Sequence, residues 1–198
     1  MNVWGYILYK VLGWKNVVDL PRPNKCVICI APHTSNWDFI ISILYEKSTG
    51  GKAHFLMKKE WFFWPLGILF RSLGGIAVER GRKRSARRAP SSSEKGAAHV
   101  SGLTLSLAQR MMEANCFQIA ITPEGTRSIR REWHTGFYHI ARTTQTPILL
   151  FVLDYKNKCI LCQKEIIPSN NMEADLALIK DYYRHYAYAA KYPAKFSV

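Results

Sequence analysis

His33 and Asp38, a histidine and an aspartate five positions apart, are residues whose types and spacing could do chemistry. Residues five apart share neither a helix face nor a strand face, so a contact between them requires a turn. The intervening Thr34, Ser35 and Asn36 are residue types that begin helices. We therefore predict that Asp38 lies in the first turn of a helix and folds back onto the imidazole of His33.

This pair would provide a general base. A neutral imidazole can accept a proton, while a carboxylate fixes its tautomer and stabilises the imidazolium. The preceding run "CVICIA" predicts a buried strand, and α/β sheets bind ligands beyond the carboxyl ends of their strands. No serine or cysteine at a sharp glycine turn indicates a nucleophile, so His33 is expected to activate a substrate hydroxyl. The structural alternative is a helix cap followed by an ordinary surface aspartate.

A second strand end carries "TPEGTRS" at 122–128. The amides of a turn at Gly125 could hold an anion, and Arg127 could bind a phosphate with two hydrogen bonds. Glu124 could orient that arginine or bind a substrate hydroxyl. The alternative interpretation is a strand-to-helix turn with a surface ion pair.

A third strand end, "GGIAVERG" at 74–81, carries the charged pair Glu79 and Arg80. Taken alone, a solvated strand end explains this pair better than a binding role does. Together, however, the three strand ends carry a histidine–aspartate pair, a glutamate–arginine pair and a further arginine. That combination suits the removal of a proton beside a phosphate.

The elements that must position these residues alternate between strand and helix. The 198 residues, 48% of them hydrophobic, suit one domain over 1–198. The alternation predicts an α/β fold with a mostly parallel or mixed central sheet and helices on both faces. The predicted strands are 25–31, 53–57, 75–80, 117–122 and the runs "PILLFVLDY" and "CILCQKEII". The predicted helices are 1–15, 38–48, 99–114, 136–144 and 172–190.

The charge balance predicts an anionic partner. With 28 Lys+Arg against 14 Asp+Glu the net charge is +14, which attracts nucleic acid, anionic lipid or phosphorylated substrates. Residues 81–98 are basic and then serine-rich, which predicts a mobile loop, either touching headgroups or simply solvated. Because there is no recognisable nucleic-acid motif, we expect no nucleic-acid partner.

Two aromatic segments could meet a membrane. No apolar run approaches the ~18 residues that a transmembrane helix needs, so we predict no transmembrane helix. Residues 1–15 could form a helix packed on the core or an interfacial helix. The segment "WFFWPLGILF" could dip into the interface or line an acyl groove.

The five cysteines form two C-x2-C pairs, "CVIC" and "CILC", with one left over. Such pairs can bind zinc, but residues three apart on a strand face opposite sides. We expect buried structural thiols and no metal site. The odd count fits a reducing compartment.

Four blocks in order resemble a known family. H-x4-D at 33–38, G-x-I-x-V-x-R at 74–80, E-G-T-R at 124–127 and a proline-led strand from Pro147 resemble the glycerolipid acyltransferases, the family of 1-acyl-glycerol-3-phosphate acyltransferase. The resemblance spans roughly 25–155, and the flanking segments look like a short branch of that family. It implies a glycerolipid acyltransferase-like fold.

The resemblance implies that His33 is the general base on an acceptor hydroxyl and Asp38 its orienting partner. The hydroxyl would attack the thioester of acyl-CoA or acyl carrier protein directly, and neither a metal nor a bound cofactor is required. His134 stands where the family often has a lysine near W-x-T-G, which implies a weaker or pH-dependent hold on an anion. The residues assigned to the acceptor, typically to its phosphate, are Arg80, Glu124, Gly125, Thr126 and Arg127, with His134 beside them.

We therefore expect an O-acyltransferase that esterifies a lysophosphatidate- or lysophospholipid-like acceptor. Its partners would be the acyl thioester, the lipid acceptor and an anionic membrane surface. It would be peripheral on the cytoplasmic face of a membrane. The alternative is a non-enzymatic basic module that binds anionic lipid or nucleic acid.

Overall fold

The computed structural model describes residues 1–79, 101–130 and 132–198. Seven strands in these residues form one sheet: β1 (Lys15–Val18), β2 (Lys25–Ile30), β3 (His54–Lys58), β4 (Gly75–Val78), β5 (Phe117–Ile121), β6 (Ile148–Asp154) and β7 (Cys159–Ile166). The helices are α1 (Val3–Gly5, continued by a π-helix over Tyr6–Val11), α2 (Asn36–Ser48), α3 (Leu66–Ser72), α4 (Gly102–Glu113), α5 (Gly136–Thr144) and α6 (Met172–His185).

The sheet has the order β1-β7-β6-β2-β5-β3-β4. Its neighbours are parallel except for β6 and β7, which form an antiparallel hairpin. The central strands β2 and β6 are buried along almost their whole length, which explains why they read as unbroken apolar runs. The predicted α/β fold with a mixed sheet is confirmed.

Helices cover both faces of the sheet. On one face, α4, α5 and α6 pack against alternate β2 residues such as Val27 and Cys29. On the other face, α2 and the N-terminal helix pack against Cys26 and Ile28. The two cysteines of each C-x2-C pair therefore lie on opposite faces; all four are buried and reduced. Burial raises the pKa of the Cys26 and Cys29 thiols to about 12, so both stay protonated.

Two predicted helices end earlier than expected. The helix predicted over 1–15 ends at Val11, and the chain turns at Gly13, whose φ of +72° suits glycine. The next residues form β1, a half-exposed edge strand beside β7. The sequence analysis did not predict β1, because this strand begins with polar residues. The helix predicted over 172–190 ends at His185.

The N-terminal helix packs on the core through one side and exposes the other. Leu8 is fully buried against the α2 face, while Trp4, Tyr6 and Val11 are exposed. Within residues 1–79, 101–130 and 132–198, no helix is long and apolar enough to cross a membrane. The basic segment predicted as a mobile loop at 81–98 lies outside the described residues.

Candidate active site

Three loops that follow neighbouring parallel strands meet at one edge of the sheet. The register pairs Cys29 of β2 with Ile121 of β5, and Ile30 of β2 with Phe151 of β6. The loops after these three strands therefore leave the sheet side by side. They carry His33 after β2, Glu124 after β5 and Tyr155 after β6.

Asp38 lies in the first turn of α2 and reaches back to His33, as the spacing predicts. His33 Nδ1 lies 3.0 Å from Asp38 Oδ2; the histidine side chain is 18% exposed and the carboxylate 2% exposed. The contact is close, although its angle falls outside hydrogen-bond geometry. Because Nδ1 faces the carboxylate, Nε2 is the ring nitrogen available to a substrate.

The carboxylate of Asp38 is fixed by the start of its own helix. Its Oδ2 accepts hydrogen bonds of 2.9 Å from the backbone N–H groups of Thr34 and Ser35. Ser35 caps α2 in return, so the two residues form a capping box. The other oxygen, Oδ1, accepts a 2.6 Å hydrogen bond from the hydroxyl of Tyr155. These contacts hold the carboxylate in one orientation.

Glu124 is buried against the backbone of His33. Its Oε1 accepts a 2.6 Å hydrogen bond from the His33 N–H, and its side chain is only 1% exposed. Burial raises the pKa of Glu124 to about 8, the bond from His33 opposes this shift, and the nearby charge of Asp38 adds to it. Glu124 therefore holds the loop of His33 and is largely protonated at neutral pH.

This buried carboxyl predicts that stability falls as pH rises. The unfolded chain releases the proton near pH 4.5 and the folded chain near pH 8, so between these values the folded state binds more protons. Relative to Glu124→Gln, we expect the wild-type free energy of unfolding to decrease by about 3 kcal/mol from pH 5 to pH 8. Urea unfolding of both proteins at several pH values measures this difference. Parallel pH curves for the two proteins would contradict it.

A cavity of about 750 Å³ lies between α2 and the sheet. It extends along α2 from Asp38 to Glu46, which at 1.5 Å per residue is about 12 Å. At the Glu46 end, Arg22 and Glu46 form an ion pair of 2.7 Å. His33 also lines the cavity. Most of its remaining lining is apolar, including Ile30, Phe39, Ile43, Phe55, Ile121 and Phe151.

The turn after β5 requires glycine at position 125. Gly125 has φ of +63°, and a Cβ there would lie 2.6 Å from the ring of His134. The backbone N–H of His134 donates to the carbonyl of Pro123 at 2.8 Å. Arg130 lies 2.8 Å from His134 Nε2, and since arginine can only donate, that nitrogen accepts.

The remaining residues predicted from the sequence lie in different places. Thr126 and the exposed Arg127 line the cavity, whereas Glu124 and His134 are not among the described residues that do. Arg80 lies outside the described residues. Its neighbour Glu79 forms an exposed 2.7 Å ion pair with Lys59. The structure thus brings together His33, Asp38 and the 124–127 turn, with His134 against Gly125 of that turn.

Tyr155 was missed by the sequence analysis. The sequence signal was a hydroxyl-bearing side chain directly after the apolar run of β6. That signal predicts a role at the site only once β6 is known to lie beside β2. Among the described residues, no cluster of three or more His, Cys, Asp or Glu side chains is suited to a metal ion.

Comparison with known proteins identifies the family and a similar fold. A family model described as Acyltransferase matches residues 14–153, more than two thirds of the chain. The crystal structure of the 1-acyl-sn-glycerophosphate (LPA) acyltransferase PlsC from Thermotoga maritima is similar in fold, with a TM-score of 0.59. The two share 16% sequence identity, and the similarity covers 92% of this chain and 74% of the other. No curated protein matches the chain.

Proposed function

Because this chain belongs to the acyltransferase family, we propose that it transfers a fatty acyl group from acyl-CoA or acyl carrier protein to a hydroxyl of a lysophosphatidate- or lysophospholipid-like acceptor. The observation that carries this proposal is the position of His33. Its imidazole contacts the buried carboxylate of Asp38 and lines an apolar cavity of about 750 Å³. A base beside an apolar cavity suits a substrate with a hydroxyl and a fatty chain.

The proposed reaction needs no nucleophile from the protein. His33 Nε2 takes the proton of the acceptor hydroxyl while its oxygen attacks the thioester carbonyl. Asp38 stabilises the imidazolium that forms. The tetrahedral intermediate then collapses, the C–S bond breaks, and the departing thiolate takes the proton from the imidazolium. The products are an ester and a thiol.

The fatty chain would lie in the cavity. Its volume is within the usual range for small-molecule sites, about 300–1,000 Å³, and its walls are largely side chains of α2 and the central strands. The chain would lie along α2 in the direction of the Arg22–Glu46 ion pair.

The acceptor head would bind at the 124–127 turn. Arg127 is exposed beside the cavity and can offer a guanidinium to a phosphate. Thr126 accepts from the N–H of Ser128 and keeps the turn in shape. We propose that Arg80 and His134 also take part, as the family resemblance implies.

The direct test is product formation by the purified protein. Long-chain acyl-CoA and 1-acyl-glycerol-3-phosphate are supplied in detergent micelles, and thiol release is compared with lipid product. Equal amounts of thiol and diacyl product support both the reaction and the acceptor. Thiol release without that product moves the search to other lysophospholipids. Failure with acyl-CoA, with acyl carrier protein and with all acceptors favours the basic binding module.

We also propose that the enzyme is peripheral on the cytoplasmic face of a membrane. Five exposed apolar side chains form what we call the aromatic patch: Trp61, Phe63, Trp64, Ile68 and Leu69. Trp61 and the exposed Lys58 also line the cavity, so the aromatic patch continues to the substrate site. Aromatic side chains beside lysines suit the interface of an anionic bilayer.

The double variant Trp61→Ser/Trp64→Ser is expected to bind vesicles of phosphatidylcholine and phosphatidylglycerol about tenfold more weakly or worse, since two large apolar side chains no longer insert. Sedimentation with the vesicles at low and high salt measures the binding. The matched control is Leu105→Ser/Leu178→Ser, which replaces two exposed apolar residues on α4 and α6. An equal loss of vesicle binding in both double variants would contradict insertion through the aromatic patch.

A further inference from the structure

We propose that Tyr155 is a positioning residue for the His33–Asp38 pair and that residues 187–192 of the C-terminal segment hold it there. The kinetic part of this inference rests on the proposed function; its structural part does not. Tyr155 lies just outside the 14–153 range of the family match, as does the segment that holds it.

Tyr155 fixes Oδ1 of Asp38, the carboxylate oxygen to which the backbone at the start of α2 does not donate. The amides of Thr34 and Ser35 and the ring of His33 all contact Oδ2. Among the described residues, the Tyr155 hydroxyl is the hydrogen-bond donor to Oδ1, at 2.6 Å. A donor on each oxygen prevents the carboxylate from rotating about its Cβ–Cγ bond. Oδ2 therefore stays opposite His33 Nδ1.

The Tyr155 hydroxyl stays a donor at working pH. Burial raises the pKa of Tyr155, and the adjacent charge of Asp38 raises it further. The hydroxyl therefore keeps its proton, and the hydrogen bond runs from tyrosine to carboxylate.

The C-terminal segment fixes the tyrosine itself. The backbone N–H of Tyr155 donates to the carbonyl of Ala189 at 2.9 Å. Lys191 Nζ lies 5.7 Å from the centre of the Tyr155 ring and 4.8 Å from that of Trp37. The C-terminal segment thus contacts Tyr155 itself and Trp37, the residue that precedes Asp38 in α2.

The same segment also reaches the loop that carries His33. The backbone N–H of Tyr192 donates to Thr34 Oγ1 at 3.2 Å. On its other side, the Tyr155 ring meets Trp14 edge to face, with centroids 5.1 Å apart. Tyr155 is therefore held between the N-terminal helix region and the C-terminal segment, and its hydroxyl has a defined direction.

The test compares Tyr155→Phe with Tyr138→Phe. Tyr138 is a matched control because its buried hydroxyl also donates to an aspartate, Asp175, at 2.8 Å, but on the α5–α6 face of the sheet. In acyl transfer, Tyr155→Phe is expected to lower kcat about tenfold with little change in KM, since one hydrogen bond to a charged group is lost. Tyr138→Phe is expected to leave kcat unchanged. Equal kcat in the wild type and Tyr155→Phe would overturn the proposal.

A double-mutant cycle tests whether Tyr155 acts through Asp38. Adding Tyr155→Phe to Asp38→Asn is expected to lower kcat no further, because the carboxylate that Tyr155 orients is already gone. A second tenfold loss would overturn the positioning role.

An NMR measurement tests the structural part without activity. The imidazole resonances of His33 are expected to move in Tyr155→Phe and to stay in place in Tyr138→Phe. If the wild type transfers no acyl group to any acceptor, the proposed function fails, yet a shift confined to Tyr155→Phe still supports the positioning role. Unchanged His33 resonances in both variants would overturn it.

Discussion

Replacing His33 by alanine is expected to lower kcat/KM for acyl transfer by about 10²- to 10⁴-fold, the usual contribution of a general base. Its imidazole both contacts the Asp38 carboxylate and lines the cavity. The fold should persist, because the ring is partly exposed and the bond to Glu124 comes from the His33 backbone N–H, which alanine retains.

The measurement is thiol release and lipid product from wild type, His33→Ala and His185→Ala, with thermal unfolding of each. His185 is an exposed histidine at the end of α6, and α6 packs on the face of the sheet opposite the cavity. Its variant therefore controls for the loss of a histidine as such. Transfer by His33→Ala at the wild-type rate would refute the general-base mechanism. A loss of activity accompanied by unfolding would instead indicate a structural role.

Replacing Asp38 by alanine is expected to lower both stability and activity. The carboxylate accepts from two backbone N–H groups and from Tyr155, and all three donors would lose their acceptor. At about 1–3 kcal/mol for each buried unsatisfied group, the free energy of unfolding should fall by about 3 kcal/mol or more.

Asp38→Asn separates the two effects. The asparagine side chain fills the same space and keeps one oxygen acceptor, so we expect a smaller loss of stability. Its NH₂ group cannot accept from the amides and carries no charge to stabilise the imidazolium, so kcat should still fall about 10²-fold or more.

Asp175 provides the matched control for this second prediction. It is a buried aspartate that also accepts from a backbone N–H, that of Ser169, and from a tyrosine hydroxyl, that of Tyr138. Asp175→Asn should therefore show a comparable change in urea unfolding with unchanged kcat. Wild-type kcat in Asp38→Asn, or equal loss of kcat in both asparagine variants, would show that Asp38 has no specific catalytic role.

The sequence predicted the features that depend on neighbouring residues. The His33–Asp38 contact forms within six residues, through a capping box at Ser35, and polar residues at a helix start have few alternative conformations. The buried strands were also predictable, because strands covered on both faces must be apolar throughout.

The sequence was less informative about half-exposed strands and about contacts between residues that are far apart in the chain. The edge strand β1 is half exposed and begins with Lys15 and Asn16, so it lacks the apolar run of a central strand. Glu124 was predicted at a strand end, but its contact with the His33 backbone spans 91 positions.

The sequence by itself determined the α/β alternation, the acyltransferase blocks and the local geometry of the His33–Asp38 pair. Tertiary structure decided that Glu124 holds the His33 loop and that Tyr155, 117 positions from Asp38, donates to its second oxygen. The reason is physical: such contacts depend on which strands are neighbours and in what register. That choice is made by the packing of whole helices and strands on the two faces of the sheet.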